Sequence, residues 1–254
     1  MNPREYEALF ETEDLHWWFV ALRREIARAI ESYPPPRSGG APRWLDAGSG
    51  TGGLLAHLAL PREGLSAGVD ASLDALRLAR RRDLRLLVAG SVTSLPFPAE
   101  SFDLVTSIDV LCHRDVEKLP TLAEARRCLR TGGILVLQVP AFDWLASEHD
   151  RAVWTDRRFR RGEVEELFDR AGFAVRECFY RVGILFPAAV LARLAKRGPG
   201  PENDALSQVR PASCFANALL GGILRLESAA AAVGLRLPFG LSIFCVGQKP
   251  PLSS

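Results

Sequence analysis

Apolar and polar positions along this chain follow two different periods. Across LHWWFVALRREIARAIES, residues 15–32, Trp18, Leu22, Ile26 and Ala29 recur at spacings of three and four with arginines on the opposite side, which predicts an amphipathic helix. YPPPRSGGAP, residues 33–42, cannot continue it and reads as a linker, because proline lacks the backbone donor. Beyond it, short apolar runs alternate with helical stretches. RWLDA (43–47), LSAGVD (65–70), LRLLVAG (84–90), SFDLVTSI (101–108), ILVLQVP (134–140) and AVRECFYRV (174–182) read as strands, and LSIFCVGQ (241–248) as a last one. Helices are expected over Thr51–Leu60, closed by Pro61; over SLDALRLARR (72–81), with Ser72 as N-cap; near Asp115–Leu129; and over RGEVEELFDRAGF (161–173), stopped at Gly172. TGG, residues 131–133, reads as the turn into the fifth strand. Strand and helix in alternation imply a mostly parallel sheet covered on both faces.

The stretch 183–237 breaks this rhythm. ILFPAAVLARLAKR (184–197) and FANALLGGILRLESAAAAVG (215–234) are apolar helix candidates, separated by RGPGPENDALSQVRPAS (197–213), which reads as a mobile loop. No internal repeat is visible. The expected organisation is an N-terminal helical lid and linker over 1–40, an α/β core over 41–182, a helical insertion over 183–238 that caps a pocket, and the last strand with its tail over 239–254.

Composition narrows the class. A chain of 254 residues that is 48% hydrophobic has room for one large core. A formal net charge of +2 leaves no electrostatic footprint for nucleic acid. Cys112, Cys128, Cys178, Cys214 and Cys245 are scattered with no CxxC pair, as reduced thiols of a cytoplasmic protein would be, and they suggest no zinc site. The opening MNPREYEALFETEDLHWW lacks the apolar segment of a secretory signal, and no apolar run approaches the ~20 residues of a spanning helix.

The chemistry concentrates in WLDAGSGTGG, residues 44–53. Glycines here free the backbone to approach a ligand and aim helix N–H groups at an anionic group. The run satisfies two fingerprints: Gly48, Gly50 and Gly53 give G-x-G-x-x-G, and Gly48, Gly50 and Gly52 give G-x-G-x-G. Asp46 argues for the second, because a buried strand facing a pyrophosphate ends in apolar residues, whereas an acid suits a nearby ammonium group. Asp70, closing the second strand, is placed to accept ribose hydroxyls in either class. GSVTSLPFPAESFDLV, residues 90–105, adds a polar turn and the LPFP–SFDLV element.

Loop, acid, LPFP–SFDLV and LRTGGILVLQVP, in this order, resemble the class I S-adenosylmethionine (SAM)-dependent methyltransferases of the type-11-like group, over roughly residues 43–180. HWWFVALRR, VPAFDWLASEHD and LPFGLSIF are similar to a bacterial subgroup, in which a further histidine stands where this chain has Thr155 or Asp156. The resemblance implies a Rossmann-like, seven-stranded sheet whose last strand runs antiparallel between the fifth and sixth. It implies that Asp46, Gly48, Ser49 and Gly50 cradle the methionine part of SAM, with Asp70 at the ribose and Ala71 beside the adenine. It likewise implies that Ser91 and Val92 line the adenine edge, Ser91 standing where the family usually has aspartate, and that Asp109 or its neighbours lie under the methionine end.

For chemistry, His113 lies at the carboxyl edge after the fourth strand, where it is either a proton acceptor or a helix cap. His149 and Asp150, with Glu148, are either a base and its orienter or a loop's hydrogen-bonding set. His113, His149 and Asp150 lack metal-ligand spacing, and no metal is expected. His16, Trp17, Trp18 and Phe19 cannot all face one side of a helix; they are expected to close over SAM and acceptor, with Trp17 at the cofactor and Tyr6 and Phe10 nearby. The run Arg157, Arg158, Arg160, Arg161 either holds an acidic substrate or is a solvated loop, and the solvated loop leads. Arginines flanking the apolar insertion also allow peripheral membrane contact, and its apolar face a homodimer. Together these features predict methyl transfer to a small, partly hydrophobic acceptor, oxygen before nitrogen, in bacterial secondary metabolism. A SAM-binding enzyme of other chemistry such as cyclisation, a non-catalytic SAM-binding protein, and a dinucleotide oxidoreductase are the rivals.

Overall fold

The computed structural model describes residues 3–35, 41–58, 64–147, 150, 153–195 and 213–251. The expected loop over 197–212, the middle of the linker at 36–40, Glu148 and His149 fall outside these residues. Strands β1 (Arg43–Ala47), β2 (Leu65–Asp70), β3 (Leu86–Ala89), β4 (Phe102–Ile108), β5 (Leu129–Pro140), β6 (Ala174–Arg181) and β7 (Ser242–Gln248) form one sheet. Its order is β3-β2-β1-β4-β5-β7-β6. β7 runs antiparallel to β5 and β6, and the remaining pairs are parallel, as expected for the last strand.

Alternation along the strands feeds two apolar layers. Leu45, Val105, Leu135, Leu137 and Cys245 pack toward α5 (Lys118–Cys128) and α6 (Arg161–Arg170), meeting Leu122, Val164 and Phe168. Trp44, Leu104, Val136, Phe244 and Val246 face the other way and pack on Leu22, Ile26 and Ala29 of α2 (Trp17–Ser32) and Leu55 of α3 (Gly53–His57). α2 is therefore a core helix of the second layer, and the part of the expected lid that leans on the binding edge is α1 (Pro3–Thr12), packed on α4 (Leu73–Arg80). The insertion supplies α7 (Phe186–Ala195) and α8 (Cys214–Ala232), and α8 lies along α2.

Two local expectations change. The helix predicted to Leu60 stops at His57, with Leu58 in an extended conformation as its cap. TGG is not a turn but a bulge inside β5: Phe102 pairs with Leu129 while Leu104 pairs with Ile134, so extra residues of β5 loop out. The tail after β7 takes up their hydrogen bonds, Gly132 N donating to Lys249 O at 2.8 Å and Lys249 N to Gly133 O at 2.9 Å.

Candidate active site

The glycine loop leaves β1 at the carboxyl edge of the sheet, between the starts of α3 and α4. Gly48 and Ser49 donate their backbone N–H groups to Val69 O at 2.8 and 2.9 Å, which folds the loop back over β2. Gly48 has φ +88°, and a Cβ there would stand 2.2 Å from Val110 Cγ2. Gly50 has φ +51° but faces open space. One glycine is needed for packing and the other for conformation, and together they leave a bare cradle. Ser49 Oγ is buried and has no hydrogen-bond partner among the described residues.

Both predicted acids meet this loop. Asp70 accepts from Gly50 N at 2.7 Å and from Ser72 N at 2.8 Å, so one carboxylate pins the loop and the start of α4. Burial raises its pKa, and those two amides counteract part of the rise. Asp46 is buried and accepts from Thr106 Oγ1 at 2.6 Å, which in turn accepts from Trp44 Nε1 at 2.9 Å. Desolvation pushes Asp46 up to about 7, opposed by Thr106 and reinforced by the charges of Asp70 and Glu13. Ala71 is exposed beyond Asp70. Ser91 and buried Val92 follow β3 alongside, Gly90 N bonding Asp70 O at 3.1 Å. The Ser91 hydroxyl is bonded to Thr93 Oγ1 at 2.7 Å.

The LPFP–SFDLV element has a structural job here. Arg127 donates to Phe97 O at 2.8 Å and Leu95 O at 3.0 Å, Leu95 N donates to Glu124 at 2.8 Å, and the Phe97 ring meets Phe102 edge-on at 5.0 Å. The loop after β3 is thereby clamped to α5. Asp103, within SFDLV, accepts from Arg43 N at 2.8 Å and Arg130 Nη1 at 3.0 Å and ties β4 to both neighbours.

The N-terminal segment closes on the glycine loop through residues that periodicity did not single out. Glu13 is buried, and its Oε1 accepts from Thr51 Oγ1 and from Arg82 Nη2, the latter at 2.9 Å. Arg82 also donates to Thr51 O at 3.0 Å and Phe10 O at 3.1 Å, with its guanidinium 4.3 Å over the Phe10 ring. Tyr6 of α1 is near enough to Asp70 and Ser72 to feel both, its pKa raised first by burial and then by the Asp70 charge. Trp17 makes its contacts elsewhere: its N–H bonds Asn217 Oδ1 of α8 at 3.0 Å, and it packs with Trp18 on Ala21, Val182 and Leu224.

Further along the carboxyl edge, Asp109 (φ +56°) follows β4. Its Oδ2 accepts from Gln138 Nε2 at 3.0 Å, and Gln138 Oε1 accepts from Arg181 Nη1. Desolvation raises Asp109 to about 6, against the pull of Gln138 and the arginines Arg181 and Arg158. His113 is half-buried, with Nδ1 3.1 Å from Trp154 O. A carbonyl only accepts, so Nδ1 carries the proton and Nε2 keeps its lone pair. Burial lowers the His113 pKa, partly offset by that carbonyl, and holds the ring neutral at pH 7. Cys112 beside it is no nucleophile, since burial and then Asp109 raise its thiol to about 12.

Among the described residues, Asp150 bonds only within its own loop and to Arg158. Ser147 N and Oγ occupy its Oδ2 at 2.6 and 2.9 Å, and Arg158 holds its Oδ1 at 2.7 Å, so it belongs to the loop's own bonding set. Of the arginine run, Arg157, Arg160 and Arg161 are exposed, but Arg158 is buried, a departure from the solvated loop explained by this pair. Around the edge, Phe142 stacks on Tyr180 at 5.1 Å and meets Trp144 and Phe186 at 5.9 and 5.8 Å, so α7 of the insertion docks on the loop after β5 through aromatic rings.

A parallel sheet with a reversed last strand inserted beside β6, and a glycine loop facing an acid-tipped β2, define the class I methyltransferase architecture. Residues 45–137 match the family described as a methyltransferase domain. It is 35% identical over 150 residues to an uncharacterized 37.1 kDa protein in transposon Tn4556 of Streptomyces fradiae, covering 52% of this chain and 43% of that one. A demethylmenaquinone methyltransferase of Roseiflexus sp. (strain RS-1) is 44% identical over 93 residues, 35% of this chain and 38% of the relative. The chain thus spans less than half the length of the curated relatives it matches. Among solved structures, a SAM-dependent methyltransferase from Thermotoga maritima superposes with a TM-score of 0.59 at 20% identity, covering 97% of this chain and 95% of that one. A geranyl diphosphate methyltransferase in complex with SAM does so with a TM-score of 0.58 at 14% identity, covering 89% and 85%. These two likenesses bear on the fold. Among the described residues no helix is long and apolar enough to cross a membrane.

Proposed function

We propose that this chain is a SAM-dependent methyltransferase acting on a small, partly hydrophobic acceptor through oxygen, with nitrogen next. The observation that carries the reading is the bare cradle of Gly48 and Gly50 set against Asp70 at the end of β2, whose two oxygens accept from Gly50 N and Ser72 N. The buried Ser49 hydroxyl, unpartnered among the described residues, and the open space beside Gly50 among those residues suit a nucleoside–amino-acid cofactor. In this reading Asp46, Gly48, Ser49 and Gly50 hold the methionine part, Asp70 the ribose, and Ala71, Ser91 and Val92 the adenine, while SAM would supply an electrophilic methyl group.

The chain's own residues then have mainly to position the acceptor and remove its proton. His113, neutral and with Nε2 unprotonated, is the candidate base; His149 is retained as the second candidate. The aromatic edge of Phe142, Trp144 and Phe186, together with the named activity of the Roseiflexus relative, supports an acceptor with apolar surface. Calorimetric titration with SAM, S-adenosylhomocysteine and NAD is the test. Binding of the two adenosyl compounds and not NAD is expected, with Asp70→Ala weakening SAM by about 1–3 kcal/mol. Binding of NAD alone overturns the reading.

A further inference from the structure

We infer that the cavity between β6 and α8 is a binding site for a neutral, mainly apolar molecule carrying a hydrogen-bond-accepting oxygen, which Arg181 reads. The site lies on the α2 side of the sheet, off the glycine loop, and stands apart from the transfer reaction proposed above. It is open to solvent on one side and offers about 290 Å³. That is at the small end of ligand sites, with room for about one or two rings.

Most of its wall is apolar: Phe179 and Val182 from β6 and its end, Leu224 and Ala231 from α8, Leu235 and Leu237 beyond it. Four ionised groups also face it, and three are already engaged. Glu25 accepts from Arg28 at 2.6 Å and from Ser228 Oγ at 2.9 Å. Glu227 spends both oxygens on the backbone amides of Gly183 and Ile184, at 3.0 and 2.9 Å. Arg236 is bonded to Glu177 at 2.6 Å and lies 4.3 Å over the Phe179 ring.

Arg181 differs. Of the five N–H donors of a guanidinium, one meets Gln138 Oε1. The residue lines this cavity and is 95% buried, and among the described residues its guanidinium has no hydrogen-bond partner besides Gln138. The spare donors therefore open onto the cavity.

Charge then selects the ligand. Arg181 and Arg236 balance Glu25 and Glu227 on the wall. An anion would desolvate beside two carboxylates and a cation beside two guanidiniums, so neither gains net attraction for the cost of burial. A hydrocarbon would leave the Arg181 donors without acceptors. A neutral carbonyl or hydroxyl compound satisfies both conditions. Through Gln138, Arg181 is two hydrogen bonds from Asp109, so an occupant touches the same bonded chain as the acceptor edge.

The test titrates the full chain, labelled with 13C at Ile, Leu and Val methyl groups, with acetophenone, benzoate, benzylamine and ethylbenzene. Acetophenone is expected to move the Val182, Ile184 and Leu224 methyl signals saturably. It should bind about 10- to 100-fold tighter than ethylbenzene, the worth of a hydrogen bond to a charged group, and tighter than either charged probe. Arg181→Lys should weaken acetophenone about tenfold, and Ala231→Phe, which fills the cavity, should abolish its shifts. No saturable shift at those methyls, tighter binding of benzoate or benzylamine, or shifts that survive in folded Ala231→Phe would overturn the assignment; if that variant does not fold, the probe ranking on the wild-type chain decides alone. SAM affinity is measured on the same wild-type sample, so that failure of the transferase reading and failure of the cavity site give separate results.

Discussion

At the scale of single residues, the acids are the most consequential groups. Asp46 is held near neutrality by burial, so the folded chain keeps a proton that the unfolded chain, with its carboxyl near the usual 3.9, has already released. Its contribution therefore weakens stability as pH rises from about 4 to about 7 and levels off above, on the order of 4 kcal/mol in all at about 1.4 kcal/mol per pH unit. Urea denaturation of Asp46→Asn across that window should show a flatter pH dependence than wild type; an unchanged slope would place the effect in other groups. Asp109, raised to about 6, acts in the same direction. Gly48→Ala should destabilise by about 1–3 kcal/mol, since it combines φ +88° with a Cβ inside Val110. Adding Val110→Ala should recover only part of that loss, because the backbone strain remains; full recovery in a thermal melt would mean that contact alone matters. The loop and its acids were legible because their logic is local: glycine spacing and an acid at a strand end suffice. Glu13, Gln138 and Arg181 were not, since their partners lie 38, 29 and 43 residues away in sequence, and no window of periodicity reaches so far.

At the scale of elements, apolar period located every strand, yet local pattern misread how some elements are used. The 15–32 helix shows an apolar stripe whether it covers a cleft or a sheet, and only the packing of Ile26 and Ala29 against Trp44 and Phe244 decides for the sheet. TGG carries a turn's composition, but its pairing with Lys249 makes it a bulge. α1 depends largely on Arg82, which bonds Phe10 O, Glu13 and Asp14 and lies against the Phe10 ring. Arg82→Ala should raise amide hydrogen exchange across residues 4–16 while leaving β1, β4 and β5 protected. Equal protection in variant and wild type would show that α1 is held by its packing on α4 instead. SAM affinity should fall in the same variant under the proposed function, because the Glu13–Thr51 bond loses its support.

At the scale of the molecule, the sheet is a mixed one only because of its last strand. β7 lends one ladder to β5 and one to β6, and its Ile243, Phe244, Cys245 and Val246 are fully buried. A chain ending at Gly240 should lose cooperative unfolding altogether, with no sharp transition by circular dichroism; a two-state melt in that truncated chain would contradict the sheet order. The same placement has a consequence for biosynthesis. While the ribosome still holds residues 242–248, β5 and β6 both present raw edges to solvent, and neither can seal against the other. The fold thus closes like a zip whose final tooth is made last, so nascent chains stalled short of Gln248 are the form of this protein most exposed to aggregation and most in need of a chaperone.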